Sequence, residues 1–394
     1  MTPTRKRVPP TLIAILALTL GLLLAGCGDR ESLVVYVSAD EAFARPILKA
    51  FEDETGIRVD PVFDTEATKT TGLAQRLRAE KNRPRADIFW SSEIALTIEL
   101  AQEGVLAPAT HADLAAWPVH HRDPDGRWYA FAARARVVAY ASDRIAEEDA
   151  PATWTELAQD RWKGRVAMAD PRFGTTRAHL GAMVTVWDRH VMPGYFDAWL
   201  LGLAENRIAL LTSGNAGVVQ AIAEGQFDVG MTDSDDVWAA QARGLKIGCT
   251  FPRHLPEGDS RGGTLLIPNT CAMVAGSAHP ERAARLLVYL LSPACEKALA
   301  ASDSRNIPLG PSFAPDVAAN DSPYSMPADP LAVDWARAAA QTEAAVLKTM
   351  ERLRDAATAA EPAPSSRPAE DDDAPGAGDD RDSADPVGGA APAP

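Results

Sequence analysis

Leu33-Val-Val-Tyr-Val-Ser-Ala-Asp40 is a β-branched and aromatic run ending in a small residue and an acid. It leads to a stretch that closes on Phe51-Glu-Asp-Glu-Thr-Gly56-Ile-Arg-Val59. Between them Phe43, Ile47, Leu48 and Phe51 repeat at helical spacing, and Pro46 marks either a first turn or a kink. Strand, helix, turn and second strand in that order open an α/β domain.

The pattern continues outward from this point. Short β-like runs at Leu33–Val37, Ile57–Phe63, Ala86–Trp90, Val137–Ala141, Arg165–Ala169, Phe227–Met231, Leu245–Phe251 and Cys271–Ala275 alternate with helical stretches. Such alternation predicts layers of helix over mainly parallel sheet. Thr153-Trp-Thr-Glu156 reads as a capping box, Glu281–Leu291 is amphipathic, and Leu331–Ala360 is an Ala-rich helical stretch.

Upstream, Arg5, Lys6 and Arg7 precede an uncharged run from Val8 to Gly26 that ends Leu24-Ala-Gly-Cys27. A charged n-region before an apolar h-region is a secretory signal. The alternative is a membrane-spanning anchor, against which stand the two prolines of the run. Downstream, residues 361–394 carry nine acids against two arginines and almost no large apolar residue, so the composition predicts a disordered acidic tail. Taking its net charge of −7 from the chain's −15 leaves −8 on the rest, an acidic body that argues against nucleic-acid binding. Roughly 330 residues remain between leader and tail, enough for two domains. Cys249, Cys271 and Cys295 have no CxxC spacing; they read as buried small hydrophobes, with Cys249 and Cys271 the pair to test for a disulfide.

The opening strand, helix, Glu-Thr-Gly-Ile turn and second strand, set just behind the leader, resemble the solute-binding proteins of bacterial ABC importers, particularly their ferric-ion-binding branch. The ending Leu-Ala-Gly-Cys resembles a lipobox, which implies lipidation of Cys27 and removal of residues 1–27. The resemblance implies an α/β, two-lobed periplasmic-binding-protein fold of class II type, with a ligand cleft between lobes and two chain crossings, near Ala132–Val138 and Lys246–Thr250. One lobe would take residues 33–133 with a return segment at about 249–280. The other would take 134–248 with C-terminal helices at about 281–358. It further implies a monomer in the periplasm or another extracytoplasmic space, tethered to the membrane by lipid and serving a permease and its ATPase.

Catalytic signatures such as GxSxG, HExxH and Walker A are absent, and the tandem His120-His121 reads as a solvated loop, so no enzyme and no cofactor are expected. The most unusual segment is Gly230-Met-Thr-Asp233-Ser-Asp235-Asp236-Val-Trp238, where an apolar strand stops and three carboxylates follow within four positions. Ligands of open α/β sheets sit beyond the carboxyl ends of strands. One Asp could instead cap the following helix. In the resembling family two adjacent tyrosines hold iron at this strand end, and here Ser234 and Asp235 take their places. Oxygen donors remain, and those suit hard cations.

The resemblance adds Asp40 and Glu93 as acidic ligands, each of which could equally be a helix N-terminal acid. It also implies an anion subsite at Gly174, Thr175 and Thr176 with Asn215. Thr65–Gly72, containing Lys69 and Thr70, offers a similar helix start, and Arg134 and Arg136 lie near the first crossing. The expected metal ligands are therefore Asp233, Asp235 and Glu93. Asp40, Thr70, Arg134, Gly174, Thr175, Thr176, Asn215, Ser234 and Asp236 complete the ligand site. Ferric ion, with or without an anion, is the first solute. An organic cation such as a polyamine or thiamine, packed on Trp90, Trp128 or Trp238, or a phosphonate, is the alternative. A secreted metal-dependent hydrolase and a structural lipoprotein are the readings from other classes.

Overall fold

The computed structural model describes residues 32–360, apart from 66–67, 110, 112–113, 257, 260, 314–326 and 328. The leader, Cys27 and the acidic tail lie outside the described residues. Leu33–Val37 is β1, a buried strand with parallel neighbours β2 (Val59–Phe63) and β3 (Ile88–Ser91). Helix α1 (Glu41–Thr55) joins β1 to β2. It buries Ala44, Ile47, Leu48 and Phe51 on one stripe, and Gly56 ends it in the left-handed region, its N–H returning to the Glu52 carbonyl. Pro46 sits inside this helix rather than in its first turn. Helices α2 (Thr71–Ala79) and α3 (Ile94–Gln102) and the short strand β4 (Leu106–Ala107) follow.

The organising element is β5, Tyr129–Ala141, thirteen residues that are all buried. Its first half pairs with β10 (Leu266–Val274) and β11 (Ile307–Pro308), which join it to the first sheet. Its second half pairs with β8 (Val229–Asp233) and β9 (Ile247–Thr250). Strand β8 continues to β6 (Val166–Ala169) and β7 (Ala209–Leu211), which makes the second sheet. Around that sheet lie α4 (Gly174–His190), α5 (Tyr195–Glu205), α6 (Gly214–Ala223) and α7 (Ser234–Ala242).

Several expectations change here. The first expected crossing, Ala132–Val138, falls where β5 passes from the first sheet to the second inside one continuous strand, pairing with β10 up to Ala135 and with β8 from Arg136. Lys246–Thr250 stays with the second sheet, and the chain rejoins the first only at Leu266. Helices α8 (Pro280–Leu290) and α9 (Pro293–Ala301), expected on the second lobe, pack on the first: Leu286, Leu287, Leu290 and Leu299 share a core with Leu33, Val35 and Phe51. The short connection from β10 leaves them no other face to cover. Helix α10 (Trp335–Ala360) packs on α3, α4 and α5, touching both units. Thr153–Glu156 begins only a short 3₁₀ turn. Cys249 and Cys271 pair with Ala139 and Tyr129 of the same strand, roughly 33 Å apart at strand rise, far beyond disulfide reach, and all three described cysteines are free.

Candidate functional site

Between the two sheets lies a cleft lined by residues of both units. Asp40, Arg134, Thr175, Asn215, Asp233, Asp235 and Asp236, all expected from the sequence, line it together. Asp233 ends β8 and holds the N-cap position of α7, and Asp235 and Asp236 fall in that helix's first turn. The positive end of the helix favours acids there. None of the three is consumed by capping, since Asp233 makes no side-chain cap bond. Oxygens from all three lie within 4.8 Å of one another.

Their surroundings differ. Asp233 is the most heavily bonded: Arg136 Nη1 donates to Oδ1 at 2.8 Å, while Oδ2 accepts from Asn215 Nδ2 at 2.9 Å and from the Thr175 hydroxyl and faces Arg134 Nε at 3.4 Å. Asp235 accepts the Asp236 N–H at 3.1 Å and lies 3.7 Å from Arg134 Nε, and Asp236 meets the Thr232 hydroxyl only at 3.5 Å. Burial pushes the Asp235 carboxyl up to about 7, with Asp233 and Asp40 adding to it against the pull of Arg134. Asp236 is raised well above the usual carboxylate range by burial and then by Asp235, Asp40 and Asp233.

Across the cleft, Asp40 stands at the N-cap position of α1 without capping it and ion-pairs with Lys69. Arg134 spans the floor, giving Nη1 to Asn269 Oδ1 at 2.6 Å and Nη2 to the Ser92 carbonyl at 2.7 Å on the first unit, while its Nε faces the second. Trp90 also lines the cleft, and its buried indole N–H has no partner. Trp128 and Trp238 are buried and do not line it. The units touch where the Lys69 carbonyl accepts the Gly174 N–H at 3.0 Å and the Thr71 hydroxyl donates to the Arg172 carbonyl at 3.1 Å. Thr70, between them, is held at φ 65°, a strained setting for a β-branched residue.

Four expectations are corrected. Glu93 is fully buried and caps α3, accepting the Ala95 and Leu96 N–H groups at 2.6 and 2.9 Å, so its oxygens serve the helix and not the cleft. Ser234 turns to the shared strand and accepts the Ala135 N–H at 3.1 Å. Thr70 closes a buried hydroxyl cluster with Ser38 and Ser92. The Gly174–Thr176 start is partly engaged: the Gly174 N–H bonds the Lys69 carbonyl, the Thr175 hydroxyl bonds Asp233, and the Thr176 hydroxyl lies 3.3 Å from Asn215 Oδ1.

Other contributors escaped sequence reading. Asn269 and Asn306 line the cleft and bond each other at 2.6 Å; the polar pair Asn269-Thr270 within apolar β10 was the available signal. Behind Asp233, Arg136 Nε donates to His179 Nδ1 at 3.2 Å, His179 Nε2 meets His254 Nε2 at 2.8 Å, and His254 Nδ1 meets the Gly263 carbonyl at 2.8 Å. A carbonyl only accepts, so His254 carries its proton on Nδ1 and His179 on Nε2. This arrangement of protons satisfies the contacts running from Arg136 to the Gly263 carbonyl, and the Trp154 indole N–H, 3.3 Å from His254 Nδ1, then faces a donor. Burial lowers both imidazoles, His254 to about 4, with Arg136 adding to each, so both are neutral.

A family model described as bacterial extracellular solute-binding protein matches residues 47–328. Over 283 residues the chain is 24% identical to "Iron uptake protein A1" of Synechocystis sp., covering 69% of this chain and 74% of that one. Over 297 residues it is 25% identical to the "Major ferric iron-binding protein" of Neisseria meningitidis, covering 72% and 83%. Among solved structures, iron-bound HitA from Pseudomonas aeruginosa superposes with a TM-score of 0.66 at 24% identity, covering 82% of this chain and 99% of that one, a likeness of two-lobed fold.

Proposed function

We propose, from the premise that the chain belongs to the bacterial extracellular solute-binding proteins, that its cleft carries ferric ion to an ABC permease and its ATPase. Members of this family are binding proteins and not enzymes. The observation that carries the reading is the cluster of Asp233, Asp235 and Asp236, three hard oxygen donors within 4.8 Å at the mouth of a buried strand, facing Asp40. The names of the Synechocystis and Neisseria relatives point the same way. Asp235 and Asp236 supply the principal ligands, Asp40 approaches from the opposite wall, and Arg134 tempers the charge. Carboxylates do the work here that phenolates do elsewhere in the family, so the ferric complex lacks a strong visible charge-transfer band. Cys27 carries the lipid that tethers a monomer outside the cytoplasmic membrane.

Calorimetry and thermal unfolding with ferric nitrilotriacetate test the reading on wild type and Asp235→Ala. Tight binding and a raised melting temperature in wild type, with both reduced in the variant, are expected. A wild type indifferent to ferric ion but stabilised by a polyamine, thiamine or phosphonate would replace the cargo with that solute.

A further inference from the structure

We infer that Asp233 serves as the protein's own resident anion, occupying an oxyanion cradle so that cargo binds without any anion from solution. A carboxylate offers about four acceptor positions. At Asp233 three are taken, one on Oδ1 by Arg136 Nη1 and two on Oδ2 by Asn215 Nδ2 and the Thr175 hydroxyl, and Arg134 Nε ion-pairs with Oδ2, so the donors come from three separate elements, β5, α4 and α6. Two guanidiniums, an amide and a hydroxyl converging on one point form the donor set that holds a small oxyanion such as bicarbonate, formate or phosphate. Here the occupant is covalently part of β8.

The cradle is rigid from behind. The proton arrangement of His254 and His179 fixes the direction of Arg136 Nε, and Arg136 is completely buried. In front, Asp235 and Asp236 keep acceptor positions open toward the cleft, and a second anion placed there would meet three carboxylates. Labour is thus divided along one short segment. Asp233 neutralises the arginines, while Asp235 and Asp236 face the cargo.

This inference rests on the cation reading of the cleft, and its test separates the two. Asp233→Gly vacates the cradle. Without metal, millimolar formate, bicarbonate or phosphate is expected to raise the variant's melting temperature and leave wild type unchanged. Ferric affinity, measured against a fixed concentration of nitrilotriacetate, is expected to fall at least about tenfold in the variant, roughly 1.4 kcal/mol, and to recover with formate. Wild-type affinity should be indifferent to added bicarbonate or phosphate. Wild type stabilised by these anions without metal, or binding iron more tightly in their presence, overturns the inference. If the glycine variant does not fold, the wild-type arms decide alone. If wild type binds no iron, the cargo reading fails, and the metal-free anion arm still decides the role of Asp233.

Discussion

The two walls of the cleft are built from different chemistry. The wall of the second unit presents Asp233, Asp235 and Asp236 from one strand end, with Thr175 and Asn215 beside them. The wall of the first presents an acid already neutralised by Lys69, together with Ser92, Asn269, Asn306 and an indole. For the cation proposed as cargo, the main attraction therefore lies on the second wall. The first wall adds dipoles and one paired acid, which count fully only in the closed form, and so bias the population toward closure.

Breaking this asymmetry should have its largest effect on the acidic wall. Asp235→Ala or Asp236→Ala is expected to weaken ferric binding about 100-fold, close to 2.7 kcal/mol, in chelator competition. Asn269→Ala is expected to cost only about fivefold, near 1 kcal/mol, the usual worth of one hydrogen bond. Equal losses on both walls would refute the assignment of unequal roles.

Acidity sharpens the comparison next. Because Asp235 is held up at about 7 and Asp236 is raised as well, an incoming cation must displace protons. Affinity should fall as pH drops through about 7, with proton release visible as calorimetric heats that depend on the buffer. The metal-free protein shows the opposite linkage. Between the ordinary carboxylate range and about 7 the folded state holds more protons than the unfolded one, so these groups cost stability as pH rises across that window. Asp235→Asn should flatten this slope in chemical denaturation, and an unchanged slope would count against the raised acid.

The smallest effect on binding is expected from Glu93→Ala. Losing the cap should cost about 1 kcal/mol of stability in urea unfolding while ferric affinity stays the same. A matching loss of affinity would return Glu93 to the list of ligands.

The fold class was legible because alternating strands and helices need only local pattern, and the Glu-Thr-Gly56 turn ends α1 as its residues suggest. The strand at Tyr129–Ala141 was half hidden, since only Val137–Ala141 reads as a β run, and Arg134 and Arg136 find their acceptors, Asn269, Ser92 and Asp233, in distant parts of the chain. The acidic strand end was legible as a cluster, but the work of each member was not. Asp233 and Asp235 differ through residues that range from 18 positions away at Asn215 to 97 at Arg136. Glu93 shows the reverse, a local role as cap that outweighed its apparent suitability as a ligand.

The strand common to both sheets sets a condition on how the molecule can be made. Residues 129–141 leave the ribosome long before their neighbours at 229–233, 247–250, 266–274 and 307–308. A segment destined for burial along its whole length must wait with unpaired backbone on both sides, and such late, non-local pairing is slow and exposed to aggregation. The second sheet has all its strands once Thr250 is made, whereas the first waits for 266–274 and 307–308, so the half that begins the chain is the last to be completed.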